Sequence, residues 1–267
     1  MLGVIIIAIG GITAAIFVKF DSTLSPEMAA GLLTGGLTST PGFSAAKEVP
    51  NVNQDAISAG YGIAYLYGVL GVVLFVQIVP KILKIDMAKE RESFVAANSV
   101  VIPEPKANLT QLEEFGFFPF FLAVAFGCII GAIEIPKVNF SLGNSGGTLV
   151  AGLIIGHFGR IGKLDCRISK QTLNFMRELG LVLFLIGAGI PGGVNFVSNV
   201  KFSYFIYGAV MTTVPMVVGY IIARYVFKLS IFNNLGSITG GMTSTPALGS
   251  LIATAGTDEV SSAYAAM

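Results

Sequence analysis

The sequence predicts an all-α polytopic membrane protein made of two incomplete homologous repeats, expected to be inverted, each with a broken or re-entrant motif helix. Three observations carry this. The 267 residues are 54% hydrophobic and 12% charged, with a mean hydropathy of +0.79, against about 25% charge in a typical soluble domain. Apolar runs of the roughly 17–25 residues that cross hydrocarbon recur through the chain. A seven-residue pattern, Gly35-Gly36-Leu37-Thr38-Ser39-Thr40-Pro41, returns as Gly240-Gly241-Met242-Thr243-Ser244-Thr245-Pro246.

Eight apolar segments can be marked: Leu2 to Val18, Pro26 to Ala46, Ser58 to Ile85, Phe117 to Ile133, Leu142 to Phe158, Thr172 to Ile190, Phe202 to Phe227, and Asn234 to Ala255. Unbroken runs such as Gly68 to Ile85 do not alternate, so a transmembrane barrel is excluded. The first segment follows Met1-Leu2-Gly3, with no basic leader, and is expected to stay as a helix rather than be cleaved as a signal. The second and eighth segments hold the motif. There proline removes an amide donor and disfavours helix at the residue before it, and paired glycines loosen the backbone. Both are expected to break. Leu142 to Phe158 opens on Gly143-Asn144-Ser145-Gly146-Gly147 and is expected to be interrupted at its start.

Residues 1–85 read as the C-terminal part of a first membrane repeat, 86–114 as a cytoplasmic linker, and 115–267 as a second repeat lacking its last helix. The linker, Asp86 to Glu114, is the longest polar stretch and is too short for a folded extramembrane domain. The repeat extends past the motif: Asp55 to Gly62 matches Asp258 to Ala265 with a two-residue shift. The chain reaches Met267 a few residues into the second copy of the helix that follows. Four segments precede the second motif and one precedes the first. Missing helices supplied by a second membrane subunit, a longer parent polypeptide, or a homodimer are therefore expected, because open bundle faces are shaped for packing.

Lys81, Lys84, Lys89 and Arg91 place the linker in the cytoplasm; Arg160, Lys163, Arg167 and Lys170 place the loop before Thr172 there, and Arg224 with Lys228 the loop after the seventh segment. If each motif segment re-enters and leaves on its own side, the repeats are inverted. If each crosses fully, they are parallel and Lys19 is cytoplasmic. Opposed broken elements meeting near mid-membrane are a recurrent transporter arrangement, which favours inversion.

Each motif sets three hydroxyl residues between two glycines and a proline. Amides at a half-helix start suit a carboxylate, and carbonyls at a half-helix end suit a sodium ion or water. Thr38, Ser39, Thr40, Pro41, Thr243, Ser244, Thr245 and Pro246 are therefore the expected solute-binding residues. The competing reading is that small residues merely allow tight helix packing; repetition of the whole pattern weighs against it. Asn144 and Ser145 could form a second wall or only cap a helix. Asp55 and Asp258 follow the motifs at similar distances and could gate or couple, or be helix caps. Arg177 and Glu178 could gate, anchor a carboxylate, or pair at the interface. Glu134, Lys137 and the lone His157 read as interfacial groups, and Tyr61, Tyr65 and Tyr67 as an aromatic belt.

Cys128 and Cys166 form no disulfide or metal pattern. One histidine and two separated cysteines make no metal or covalent-catalysis set, so no enzyme and no cofactor are expected. There is no Gly-rich ATP-binding loop. With net charge +1 and scattered cations, nucleic acid is excluded as a partner.

These residues resemble the aspartate/alanine exchanger family and its bacterial transporter relatives. The resemblance rests on Ala30 to Pro41, on Leu142 to Leu153 before His157-Phe158-Gly159-Arg160, on Arg177 to Leu185, and on Ile238 to Leu248. It implies two homologous membrane halves, often separated by soluble regulatory domains, commonly dimeric, carrying or exchanging small amino acids or carboxylates across the bacterial inner membrane. This chain departs from that pattern in lacking the soluble insertion. The expectation is secondary transport of a small anionic solute by a multi-pass protein of the bacterial cytoplasmic membrane, coupled to Na+, to H+ or to counter-exchange. A channel-like pore and a non-transporting assembly or sensor subunit are the alternatives.

Overall fold

A computed structural model of the chain describes residues 1–98, 109–135, 140–194 and 201–267. Their contacts form two compact units. One comprises Met1–Ala46, Asn51–Val101 and Ala188–Met267; the other comprises Lys47–Pro50 and Ile102–Gly187. Pro103, Pro105 and Lys137 lie outside the described residues.

In the first unit, α1 (Leu2–Phe20) is followed by α2 (Pro26–Gly36), α3 (Thr40–Glu48), α4 (Gln54–Ile82) and α5 (Met87–Asn98). The second half of this unit contains α9 (Phe202–Ile221), extended by a π turn over Ile222–Val226, then α10 (Ile231–Gly241), α11 (Thr245–Ala255) and α12 (Val260–Ala265). Helices α1 and α4, and α9 with its π turn, are long and apolar enough to cross a membrane. The stretch read as a linker carries α5.

The same local chemistry shapes both halves. Ser25 caps α2 by accepting from the Met28 amide at 3.1 Å, and Ser230 caps α10 by accepting from the Asn233 amide at 3.3 Å, each satisfying an amide the helix cannot. Both helices end in the same way. The Thr38 amide donates to Gly35 O and the Ser39 amide to Thr34 O, while Thr243 donates to Gly240 O and Ser244 to Thr239 O. This is the paired closure of a left-handed helix end. The left-handed residue is threonine in both cases, Thr38 and Thr243, each at φ 51°. Pro41 and Pro246 then stand in the first turn of α3 and α11, where a missing N–H does no harm.

Helices α2 and α4 run in the same direction. A side chain on Gly31 would meet the Ile57 carbonyl, one on Gly35 the Tyr61 carbonyl, and one on Gly68 the carbonyls of Gly35 and Gly36. Since α3 joins them, α3 doubles back beside α2. Helices α10 and α12 likewise run together. A side chain on Gly236 would meet Val260 O and Ala263, and one on Gly240 the Tyr264 carbonyl. Within lipid, such close approach of small residues is what holds helices together. Helices α1 and α9, in contrast, pack antiparallel: Ile6 lies against Gly219, Gly10 against Pro215, and the Phe17 ring stacks on Tyr207 at 4.4 Å. The tail of α4 covers α11, where Gln77 Nε2 donates to Ser250 Oγ at 2.8 Å beside the buried Val76, Leu248 and Leu251.

The second unit pairs α6 (Phe117–Gly131) with α7 (Gly143–Phe158) and continues into α8 (Lys170–Val194). Two short hairpins join the helices, β1 (Glu134–Ile135) with β2 (Phe140–Ser141) and β3 (Arg160–Ile161) with β4 (Leu164–Asp165). The all-α expectation therefore holds apart from four two-residue strands. With 15 and 16 residues, α6 and α7 fall short of the about 20 that cross hydrocarbon untilted. The expected interruption at Gly143 to Gly147 is absent: α7 is continuous from Gly143, which takes φ +65°. The glycines serve contact instead. A side chain on Gly147 would meet the Gly127 carbonyl, and one on Gly127 would meet the Thr148 backbone.

Candidate solute site at the crossed motif turns

The two motif turns meet within the first unit. Thr38 Oγ1 donates to Met242 O at 2.9 Å, and Thr243 Oγ1 donates to Leu37 O at 3.0 Å. Each hydroxyl thus satisfies the carbonyl at the cap of the opposite helix, one of the groups a helix end leaves open. Thr212 Oγ1, from α9, lies 3.0 Å from both Gly36 O and Gly208 O and shares its one proton between them. The C-terminal carbonyls of α2 are in this way fully engaged with backbone amides and threonine hydroxyls.

The starts of α3 and α11 differ. Ser39 Oγ accepts from the Gly42 amide at 3.2 Å and caps α3. Ser244, the corresponding residue of α11, makes no cap bond; its Oγ is fully buried and has no partner among the described residues. Thr245 Oγ1 lies 3.4 Å from the Tyr264 hydroxyl. Thr40 is half-buried, and Pro41 and Pro246 are exposed. The first turn of α11 is thus uncapped, and the positive end of its helix dipole lies beside an enclosed hydroxyl without a partner among the described residues.

The remaining predicted residues are dispersed. Asp55 is exposed in the first turn of α4, behind the cap residue Asn53, whose Oδ1 accepts from Ala56 N at 3.0 Å. Asp258 is exposed just before α12. Asn144 and Ser145 stand in the first turn of α7 in the second unit, Asn144 exposed and Ser145 bonded through N and Oγ to Glu48 Oε1 at 3.3 and 3.1 Å. Arg177 and Glu178 pair with each other at 3.1 Å, both more than half exposed. His157 and Glu134 are exposed. Tyr61 departs from the aromatic belt, being buried, stacked on Tyr65 and tilted against Phe43, because the close packing at Gly35 draws its helix turn inside.

Sequence reasoning passed over Thr212 and Asn234, both buried. The signal was available, since a polar side chain inside an apolar run must find a partner or a function.

With three membrane-length apolar helices among the described residues and paired, turn-broken hairpins, the chain is a multi-pass helical membrane protein. Residues 1–81 and 119–267 match the family model described as a predicted permease membrane region, Asp-Al_Ex, and the chain belongs to that family. Among curated proteins, one from Bacteroides thetaiotaomicron is 38% identical over 147 residues, covering 53% of this chain and 28% of that protein. One from Bacteroides fragilis is 37% identical over the same shares, and one from Desulfotalea psychrophila is 33% identical over 164 residues, 59% of this chain and 30% of its own. Each is named an uncharacterized transporter. The chain thus spans less than a third of the length of these relatives. No solved structure matches.

Proposed function

We propose that this chain takes part in secondary active transport or exchange of a small carboxylate or amino acid across the bacterial inner membrane by alternating access. In this reading the two halves of the first unit are inverted repeats and their motif turns are opposed clamps. The observation that carries it is the reciprocal pair of bonds, Thr38 to Met242 and Thr243 to Leu37. Supporting it, α1 and α9 occupy matching places 205 residues apart in sequence and pack antiparallel, the relation that an axis lying in the membrane plane produces. Proton or sodium coupling and counter-exchange are the available driving forces.

Thr38 and Thr243 hold the crossing in this conformation, so solute contact falls first to Ser39, Thr40, Ser244, Thr245 and the helix starts at Pro41 and Pro246. Asn144 and Ser145 are proposed solute contacts of the second unit. Asp55, Asp258, Arg177 and Glu178 are proposed gating or coupling groups. A second membrane subunit or a homodimer completes the assembly.

The test is counterflow of radiolabelled carboxylates and amino acids into proteoliposomes, with and without the neighbouring gene product. Thr40→Val and Thr245→Val, made singly, are expected to cut flux at least tenfold while membrane insertion is unchanged. Unaltered flux in both would remove the motif from the solute path, and single-channel currents would replace the carrier with a pore.

A further inference from the structure

The second unit holds a groove of about 420 Å³ between α6 and α7, running from Gly159 and Arg167 at the loop end inward to Val124 and Thr148. Glycine shapes it at both ends. At the inner end the two backbones are drawn together, so that a side chain on Gly127 would meet the Thr148 backbone. From there toward the loop, Gly152 and Gly156 follow Thr148 at helical spacing and line the groove, yet a side chain on either would meet nothing within 4 Å. The helices touch at one end and stand apart at the other. From Thr148 to Gly159 the opening follows α7 for about 16 Å, a shape suited to an extended hydrocarbon chain.

The walls, which include Phe120 and Val124, are apolar. Thr148 keeps its hydroxyl 2.9 and 3.0 Å from Asn144 O and Ser145 O of its own helix, so it offers no proton to the groove. The mouth is charged. Arg167 stands at the rim, its guanidinium held by Asp165 through Nη2 at 2.7 Å and Nε at 2.9 Å. Arg160, Lys163 and Lys170 are exposed on the same stretch of chain. The segment leading into α6 lies beside it, because the Thr110 amide donates to Lys163 O and the Asp165 amide to Thr110 O. That segment brings two acids, Glu113, which accepts from the Phe118 amide at 2.7 Å, and the exposed Glu114. Asp165 is spent on Arg167 and Glu113 on the start of α6, which leaves positive charge in excess among the described residues.

We propose that this groove binds one phospholipid with an acidic headgroup, drawn from the cytoplasmic leaflet. One acyl chain lies along Gly152 and Gly156, and the headgroup sits in the positive field of Arg160, Lys163, Arg167 and Lys170. Juxtamembrane cations attract acidic lipids of that leaflet, and basic pockets between membrane helices bind their headgroups. A zwitterionic lipid would fill the same groove but gain little from the excess charge. No residue of the motif turns lines the groove.

The chain has no tryptophan, so a single introduced one reports on one place. Phe120→Trp puts it in the groove wall; Phe121→Trp, at a residue 59% exposed that does not line the groove, reports on the general lipid surface. Each full chain is reconstituted in mixed vesicles in which either phosphatidylglycerol or phosphatidylcholine carries brominated acyl chains, which quench tryptophan on contact. Phosphatidylglycerol is expected to win the place beside Phe120→Trp by about fivefold or more, with no preference at Phe121→Trp. Lys163→Gln combined with Lys170→Gln, both at exposed positions, should remove that preference. Gly156→Leu, which fills the groove without a clash, should lower quenching there by both lipids. Equal quenching by the two lipids at Phe120→Trp, the same preference at Phe121→Trp, a preference indifferent to the lysines, or quenching indifferent to Gly156→Leu would each overturn the assignment. Absence of quenching at Phe120→Trp would overturn it too, and would show that protein, a second copy or another subunit, covers the groove.

Discussion

Thr38 and Thr243 each donate a hydroxyl to the carbonyl just before the other, Thr38 to Met242 O at 2.9 Å and Thr243 to Leu37 O at 3.0 Å. Both hold the same left-handed backbone, φ 51°. For a β-branched residue that conformation is strained by about 1–3 kcal/mol. Glycine would relieve the strain but has no hydroxyl. Threonine here trades local backbone comfort for a bond that fixes one turn on the other.

Valine and serine separate these two effects. Thr38→Val keeps the branch and its strain, removes the donor, and strands the Met242 carbonyl; a loss of about 1–3 kcal/mol is expected. Thr38→Ser keeps the donor and eases the backbone, so stability should be unchanged or higher. The same pair at Thr243 should behave alike. Thermal unfolding in detergent reads both, and equal midpoints for Val and Ser would refute the bond's importance.

The close approach of α2 to α4 and of α10 to α12 makes a matched prediction. In both, a side chain on the motif's first glycine would run into a tyrosine carbonyl, Tyr61 for Gly35 and Tyr264 for Gly240. Backbone cannot step aside as a flexible side chain can, so Gly35→Ala and Gly240→Ala should each cost about 1–3 kcal/mol or more. Gly62, on α4 with nothing near it, is the control. Gly62→Ala should be neutral or stabilising, by up to about 1 kcal/mol, because alanine is the better helix former. A shared loss at all three positions would point to backbone entropy in place of contact.

The helix breaks were legible because their causes are local: proline in a first turn and glycines before it. Where the hydroxyls point was not. Nothing in Thr-Ser-Thr says that the first threonine turns toward the other motif while the serine of one copy caps its own helix and that of the other caps nothing. Those roles depend on what the third dimension brings alongside. The glycines at Gly143 to Gly147 misled for a related reason, since glycine marks both a loosened backbone and a tight contact, and no proline or unmet donor there decides between them. The antiparallel packing of α1 on α9 was equally hidden: Gly10 faces Pro215, and the two share no side-chain chemistry.

Serine capping should prove equal in the two halves. Ser25→Ala and Ser230→Ala each remove the acceptor for one first-turn amide, and a loss of about 1 kcal/mol is expected for each. Because the caps are far apart in sequence and start different helices, the double variant should lose about the sum. A double loss well above the sum, measured by thermal unfolding, would mean that the helix starts are coupled.

Asp21 links stability to pH. The Thr23 hydroxyl at 2.7 Å and the Thr23 amide at 2.9 Å donate to Oδ1, the Tyr207 hydroxyl donates to Oδ2 at 3.0 Å, and Lys201 adds a favourable field. The Thr23 hydroxyl contributes most, and together they hold the carboxyl below its usual range. A depressed folded-state value means that the stabilisation is present above the unfolded value, about 3.9, and is lost as pH falls through the lower folded one. Wild-type protein should therefore be more stable than Asp21→Asn at pH 7, with the gap closing below about pH 4. Tyr207→Phe removes one donor and should move that closing to higher pH. Unfolding midpoints between pH 3 and pH 7 read the effect, and a gap that stays constant across this range would show that the Asp21 charge plays no part in it.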